Sequence, residues 1–108
     1  MIMLFEWDEH KNRINQAKHG IDFELASLVF LDPDLLSELD HRYTYLEERW
    51  KTTGLVEDGL ICVGHTVEND DDEENIRLIT ARAASSNEAR RYRINRGNER
   101  GIACVKIS

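Results

Sequence analysis

The stretch that decides the fold runs from residue 60 to residue 92 and reads LICVGHTVENDDDEENIRLITARAASSNEARRY. Residues 60–67 and 75–82 both alternate between apolar and polar side chains, which predicts two strands. The acidic residues 68–74 between them are then the connecting loop. Ser85-Ser86-Asn87-Glu88 follows the S-x-x-E pattern of a capping box, which indicates that a helix starts directly after the second strand.

Upstream of this stretch, residues 46–52 alternate in the same way and predict a third strand with one exposed side. Two helices precede it. Asp8 is the predicted N-cap of the first helix and Gly20 its C′ residue. Asp22 is the predicted N-cap of a second, shorter helix, which ends at the Asp-Pro-Asp sequence of residues 32–34 because the residue before proline disfavours helix.

The first of these helices has an apolar and a polar side. Ile14 and Ala17 are apolar and lie three residues apart, the spacing that places side chains on one side of a helix. Lys11, Asn15 and Lys18 follow each other at intervals of four and three residues, so they share one separate, polar face.

The order of elements predicts an α+β fold with two N-terminal helices, a three- to four-stranded antiparallel sheet and a C-terminal helix. Residues 3–5 are a candidate short strand, and Gly97-Asn98 is expected to end the last helix. Residues 1–96 would form one domain, and residues 97–108 a tail in which residues 102–107 can form a short extra strand. The helices are expected to cover one face of the sheet and leave the other open.

Composition points to a single globular domain. The chain has 108 residues, of which 41% are hydrophobic and 32% charged, too apolar for disorder and too polar for a membrane protein. The apolar start covers only five residues, shorter than a signal peptide or membrane span needs, so we expect a cytoplasmic protein. Cys62 and Cys104 are expected to be free thiols, and the four histidines form no HxxxH or HxH pair, so no metal site is predicted.

The charge is unevenly distributed. The formal net charge is −7, but residues 1–76 contain 6 basic and 19 acidic residues, whereas residues 77–108 contain 8 basic and 2 acidic ones. A chain polarised in this way can present a basic face to nucleic acid despite its acidic total. Arg90 and Arg91, on the predicted C-terminal helix, are candidates for such contacts, together with Lys18 and His19.

Several residues are suited to metal-free cleavage of RNA, which needs a base, a cation and an acid held on rigid elements. The candidate bases are His65, Glu47 and Glu48, and the candidate acids are Tyr92, His19 and His65. Each has a structural alternative, since His65 can be a packed core histidine, Tyr92 a helix anchor, and the two glutamates solvated surface. The candidate cations are Lys18, Arg49, Arg77 and Arg82.

The two strand arginines raise a geometric problem. Arg77 and Arg82 have opposite parity, so on a regular strand they point to opposite faces of the sheet. Either Arg82 lies where the strand ends and turns toward the helix, or Arg77 is structural.

The N-terminal segment of residues 5–33, FEWDEHKNRINQAKHGIDFELASLVFLDP, resembles the start of the BrnT toxin family. The resemblance rests on its aromatic-Glu-Trp-Asp start, its Lys-His-Gly-Ile close to the first helix, and an F-E-x-A helix that ends at Asp-Pro. It continues through Glu48-Arg49, Gly54, residues 63–66 and 76–84, Glu88 and Tyr92.

This resemblance implies a RelE/ParE-like toxin fold and a metal-independent endoribonuclease that needs no cofactor and arrests growth. It also implies a BrnA-type antitoxin with a ribbon-helix-helix DNA-binding region. The toxin–antitoxin pair would contact operator DNA only through this antitoxin. Carried over by position, the principal site residues are Glu48, Arg49, Arg77 and Arg82, followed by Lys18, His19, His65 and Tyr92.

The alternative is a binding module with the toxin fold and no catalysis. It would be a ParE-like inhibitor of a protein target or a component of a DNA-binding repressor complex. The acidic residues 68–74 suit a protein partner better than RNA.

Overall fold

The computed structural model describes the backbone of residues 2–43 and 48–105, with all of their side chains except those of residues 43 and 98–105. The elements in chain order are β1 (Ile2–Glu6), α1 (Glu9–His19), α2 (Phe23–Ser27), a 3-10 segment (Leu28–Leu31), β2 (Leu36–Leu39), a 3-10 turn (His41–Tyr43), β3 (Trp50–Val56), β4 (Gly59–Asn69), β5 (Glu73–Ala83) and α3 (Ser86–Val105).

The strands form one sheet in the order β1-β5-β4-β3-β2. The α+β class is confirmed, but the sheet is five-stranded and mixed rather than three- to four-stranded and antiparallel, because β1 pairs in parallel with β5. The parallel pair joins segments some 70 residues apart. Because no short turn connects the two strands, the sequence contains no local signal that predicts their pairing. Strand β2 has only four residues, Leu-Ser-Glu-Leu, too few to show a clear alternation.

One face of the sheet, called here the first face, carries the hydrophobic core. Helices α1 and α2 and the first 3-10 segment pack on β5 and β3. Gly54 permits this close packing, because a Cβ there would lie 2.8 Å from Cγ1 and 2.9 Å from the carbonyl oxygen of Val29. The core consists of Phe23, Ala26, Val29, Phe30, Val56, Ile61, Val63, Ile76, Leu78 and Ala81.

Helix α3 lies on the other face, called the second face. Its Glu88 binds Lys51 of β3 and Arg82 of β5, and its Arg91 binds Glu38 of β2. The expectation that all helices cover one face is therefore wrong. Since α3 covers only one end of the second face, the remaining part, around Gly64, stays open.

A β-bulge in β5 changes which side chains share a face. Gly64 pairs with Thr80 and the next residue, His65, pairs with Leu78, so Ile79 is the extra residue of β5. Arg77 pairs with Thr66, and Arg82 pairs with Cys62.

Thr66 and Cys62 have the same parity on β4, so both arginines lie on the second face. The sequence argument that separates them assumes a regular strand, and the bulge removes that assumption.

Helix α1 has the predicted ends. The Asp8 side chain accepts from the backbone N–H of His10 at 2.8 Å and of Lys11 at 3.4 Å. These two hydrogen bonds also hold the pKa of the Asp8 carboxyl below its usual value. Gly20 follows the helix with a left-handed φ of 74°, which confirms it as the C′ residue.

Asn15, on the polar face of α1, is buried. Its amide nitrogen donates to the carbonyl oxygens of Ile21 at 2.9 Å and Ala81 at 2.8 Å, and its amide oxygen accepts from the Ala81 N–H at 3.0 Å. Because β1 pairs with β5 only as far as Arg77, Asn15 takes the place of a neighbouring strand beside Ala81. Asn15 therefore differs from Lys11 and Lys18, which share its polar face of α1 and are exposed.

The capping box of α3 is confirmed. The Glu88 N–H donates to Ser85 Oγ at 3.2 Å, and the Ser85 N–H donates to Glu88 Oε1 at 2.9 Å. The helix does not end at Gly97-Asn98 but continues to Val105, since Gly97 lacks the left-handed φ of a helix-ending glycine.

The short strand predicted for residues 102–107 is therefore replaced by helix up to residue 105, and residues 106–108 lie outside the described part. The predicted boundary between residues 96 and 97 falls inside α3. Within the described residues, no helix is long and apolar enough to cross a membrane.

Candidate functional site

A cleft of about 230 Å³ opens on the second face, beyond the start of α3. We call it the arginine cleft, because three arginines contribute to its walls. It brings together residues from α1, the segment before β3, β4 and β5. Its lining includes His19, Arg42, Arg49, Gly64, Thr80 and Arg82.

Arg82 is held rigidly in this cleft by Glu88. Its two terminal nitrogens donate to the two carboxylate oxygens at 2.7 and 2.8 Å. Glu88 is 4% exposed and is bound in turn by Lys51 Nζ at 3.3 Å and by the Ser85 N–H. These donors, Arg82 first, hold the pKa of Glu88 well below its usual range, so the carboxylate stays ionised. The Arg82 side chain remains 37% exposed and can contact a ligand.

Arg49 and Arg42 lie on the opposite wall, in the segment between β2 and β3. The Arg49 carbonyl accepts from the Asp40 N–H at 2.7 Å, which fixes this backbone next to the end of β2. Arg42 binds both oxygens of Asp40, at 3.0 Å from Nε and 2.8 Å from Nη2. The cleft therefore has oriented guanidinium groups on two sides, a pattern suited to phosphate oxygens.

A second cleft, of about 450 Å³, adjoins the first on the same face. We call it the acidic cleft, since Glu6, Glu48 and Glu68 line it together with Arg77. Glu48 and Arg49 are consecutive, so this dipeptide joins the two clefts. The four principal residues of the resemblance thus lie on one continuous surface.

His65 points away from this surface into the core. It is 2% exposed, and its ring contacts Phe30 edge-on with a centroid distance of 5.0 Å. Nδ1 lies 3.3 Å from the Thr66 carbonyl oxygen and Nε2 lies 2.7 Å from Thr52 Oγ1. Since a carbonyl only accepts, Nδ1 carries the proton and Nε2 accepts from the threonine hydroxyl. Burial lowers the pKa of His65 to about 4. The geometry favours the core histidine over a catalytic base.

This buried histidine predicts a pH dependence of stability. The folded pKa of about 4 lies below the model value of 6.5, so between these values the unfolded chain binds a proton that the folded chain excludes. The free energy of unfolding should therefore fall by about 2 kcal/mol between pH 7 and pH 4.5 on account of His65 alone. Urea unfolding of wild type and His65→Gln at both pH values measures it. An equal pH-dependent loss in both proteins would contradict the assignment.

Tyr92 also serves the fold. Its hydroxyl donates to Asp32 Oδ2 at 2.6 Å, and the residue is 2% exposed. Burial, together with the neighbouring Asp32 carboxylate, raises the pKa of Tyr92 to about 12. The same Asp32 accepts from the Leu55 N–H at 2.8 Å. This geometry favours the helix anchor over a proton donor, because the hydroxyl ties α3 to the segment before β2.

The other predicted residues are spread over the molecule. Lys18 is exposed on α1 and lines a shallow pocket next to His19. Arg90 is exposed on α3, and Arg91 binds both oxygens of Glu38 at 2.8 and 3.2 Å. Neither Arg90 nor Arg91 is among the described residues that line the arginine cleft or the acidic cleft. Glu47 lies outside the described residues.

Sequence reasoning missed Thr80 and Arg42 as cleft residues. The bulge places Thr80 on the same face as Arg77 and Arg82. Knowledge of the bulge would therefore have identified Thr80 as a cleft residue. Arg42 has no recognisable motif of its own.

Comparison with protein-family models matches residues 7–88 to the ribonuclease toxin BrnT of type II toxin–antitoxin systems. The chain belongs to the BrnT family. The matched range includes the arginine-cleft residues named above and, in the acidic cleft, Glu48, Glu68 and Arg77. As a member of this family, it is a ribonuclease toxin of a type II toxin–antitoxin system, with RNA as its substrate and an antitoxin as its partner. A search of the curated proteins found no significant match to the chain.

Proposed function

We propose that this BrnT-family toxin is a metal-independent endoribonuclease that cleaves RNA in the arginine cleft. The observation that carries the proposal is the locked Arg82, held by the bidentate Glu88 contact while 37% exposed. Arg49 and His19 line the same cleft, so a preorganised cation, a second cation and a proton-transfer group stand around one space. Metal-free phosphodiester cleavage requires a cation, an acid and a base, and the remaining proton-transfer group, Glu48, lines the adjoining acidic cleft.

The chemistry assigned to this site is attack of the ribose 2′-oxygen on the adjacent phosphorus. The attacking hydroxyl gives its proton to a base, and the bond from phosphorus to the 5′-oxygen breaks as that oxygen takes a proton from an acid. The products are a 2′,3′-cyclic phosphate and a 5′-hydroxyl. Arg49 and Arg82 stabilise the phosphorane, His19 is the acid, and Glu48 is the base. Arg77, beside Glu48 in the acidic cleft, positions the RNA strand next to the scissile bond.

Two observations support independence from metal. Guanidinium groups line the arginine cleft, where a metal-dependent nuclease would need a cluster of oxygen or nitrogen ligands. Among the residues that the structure describes, no group of three or more His, Cys, Asp or Glu side chains is arranged to hold a metal ion.

Cleavage of total RNA by the purified toxin should therefore proceed at an unchanged rate in excess EDTA. A substrate with a 2′-deoxy nucleotide at the cleaved position should resist cleavage, because the nucleophile is missing. Gel analysis of products with EDTA, and after adding back Mg²⁺, Mn²⁺ or Zn²⁺, measures both effects. Loss of activity in EDTA that one divalent ion restores would contradict metal independence, and growth arrest without RNA cleavage would favour a non-catalytic module.

We further propose that the antitoxin is of the BrnA type, with a ribbon-helix-helix region through which the pair contacts operator DNA in the cytoplasm. The family membership supports a dedicated antitoxin partner. Co-expression of the toxin with its antitoxin, followed by purification and operator binding, tests the pairing. DNA binding by the toxin alone would contradict it.

A further inference from the structure

A groove of about 410 Å³ lies at the far end of β4 from both clefts, between α3 and the β3–β4 hairpin. We call it the hairpin groove. Leu60 lies near the start of β4, while the clefts involve Gly64 and Thr66 further along the strand. The groove is lined by Leu55, Leu60, Ala84 and Ala89, with Tyr92 beneath them.

The floor of this groove leaves apolar surface in contact with solvent. Leu55 of β3 is 43% exposed. Its N–H donates to Asp32 at 2.8 Å, which brings the adjoining Leu31, 72% exposed, to the same region. Exposed aliphatic side chains in one region of a small domain suit a surface that a partner covers.

The rim of the groove is basic. Arg93 is exposed, and Arg96, whose side chain is 41% exposed, is held only loosely by Asp34 at 3.5 Å. Asp58 is the single acidic residue among the lining residues in the described part of the chain. A basic rim around an apolar floor, on a chain of net charge −7, complements a segment in which acidic residues flank apolar ones.

The lining favours a protein partner over RNA. Single-stranded RNA binds to exposed aromatic faces on which its bases stack, whereas Tyr92, the one aromatic residue among the described residues that line this groove, is 2% exposed. Leucine and alanine side chains instead suit the apolar face of an amphipathic peptide segment.

We propose that the hairpin groove anchors an acidic, amphipathic segment of the antitoxin. This rests on the type II toxin–antitoxin assignment but not on the catalytic roles given to the clefts. The antitoxin is anchored by Leu55 and Leu60 at the groove floor and by Arg93 at the rim, away from the surface that binds RNA.

The test compares antitoxin affinity and RNA cleavage in charge-reversed toxin variants. Leu55→Glu should weaken binding of the purified cognate antitoxin at least about 30-fold, because it places a carboxylate on the apolar floor and beside an acidic ligand. Arg93→Glu, at an exposed position on the rim, should weaken it about tenfold at low salt and less at high salt. Ile14→Glu and Arg13→Glu on α1 are the matched controls, since Ile14 is 53% exposed and the Arg13 side chain 74% exposed.

Calorimetric titration of each variant gives the affinity, and its RNA cleavage in the absence of antitoxin shows whether the catalytic surface is intact. Weakened antitoxin binding with cleavage retained supports the groove. Wild-type affinity in the folded Arg93→Glu and Leu55→Glu variants overturns the proposal, and so does loss of RNA cleavage with antitoxin affinity unchanged. If Leu55→Glu fails to fold, the Arg93→Glu result decides. Absence of cleavage in the wild-type toxin would refute the proposed nuclease without affecting the affinity comparison.

Discussion

Replacing Arg82 by alanine is expected to lower the rate of RNA cleavage about 10²–10³-fold. Arg82 is the cation that Glu88 orients through two hydrogen bonds of 2.7 and 2.8 Å. A preorganised charge that faces the developing phosphorane contributes about this much to the rate. Single-turnover cleavage of a defined RNA measures the effect.

The same substitution should also lower stability, which has to be separated from catalysis. Without Arg82, the buried Glu88 keeps Lys51 at 3.3 Å and the capping hydrogen bond from Ser85. Because the Arg82 side chain is 37% exposed, solvent reduces the cost of losing the pair, and we expect about 1–2 kcal/mol.

Arg82→Lys is the variant that separates the two effects. Lysine keeps a positive charge near Glu88 and should restore most of the stability. It lacks the paired donors of a guanidinium, so cleavage should remain well below the wild-type rate. Glu88→Gln is the complementary variant. It keeps Arg82 but weakens the contact that orients the guanidinium group, so it should reduce the cleavage rate by only about tenfold. A wild-type cleavage rate in Arg82→Lys would show that Arg82 is structural. The same conclusion would follow if the lower cleavage rate of Arg82→Ala were explained entirely by its smaller folded fraction.

Replacing Asn15 by alanine is expected to cost about 3 kcal/mol of unfolding free energy. The Asn15 amide satisfies both backbone groups of Ala81 and the carbonyl of Ile21. Its removal leaves these groups without their partners in a site where Asn15 is 6% exposed, and each such buried group costs about 1–3 kcal/mol. Alanine has the higher helix propensity, which offsets a small part of this loss.

Urea unfolding of Asn15→Ala measures this loss, with Gln16→Ala as the matched control on the exposed side of α1. The control should change stability by less than about 0.5 kcal/mol. Since Ala81 precedes Arg82, the Asn15 variant should also show reduced cleavage under conditions where it is fully folded. A stability loss no larger than that of the control would contradict the role given to Asn15.

Local signals in the sequence predicted the elements that depend on neighbouring residues. Asp8, Gly20 and the capping box at Ser85 and Glu88 each act through hydrogen bonds or a backbone angle within a few residues, so pattern was enough to locate these helix ends. The alternation of residues 60–67 was also sufficient, because one side of β4 contributes Ile61 and Val63 to the hydrophobic core.

Features that depend on contacts between distant segments could not be predicted. The bulge at Ile79 inserts one residue into an otherwise alternating strand, and nothing in the side chains marks where the extra residue lies. Asn15 looks like a polar surface residue because its partner Ala81 lies 66 positions away. For the site, Arg77 and Arg82 could be identified as candidates from the sequence. That both lie on the same face of the sheet could not be predicted.

The most direct test of the proposed RNA site is to map bound RNA on the folded toxin. Backbone amide NMR spectra would be recorded with and without an uncleavable 2′-deoxy-substituted RNA oligonucleotide. The cleft assignment predicts the largest shift changes at His19, Arg49, Gly64, Thr80 and Arg82, with little change at Leu55 and Arg93. Shift changes confined to the exposed side of α3 around Arg90 and Arg93, with the arginine cleft unaffected, would contradict it.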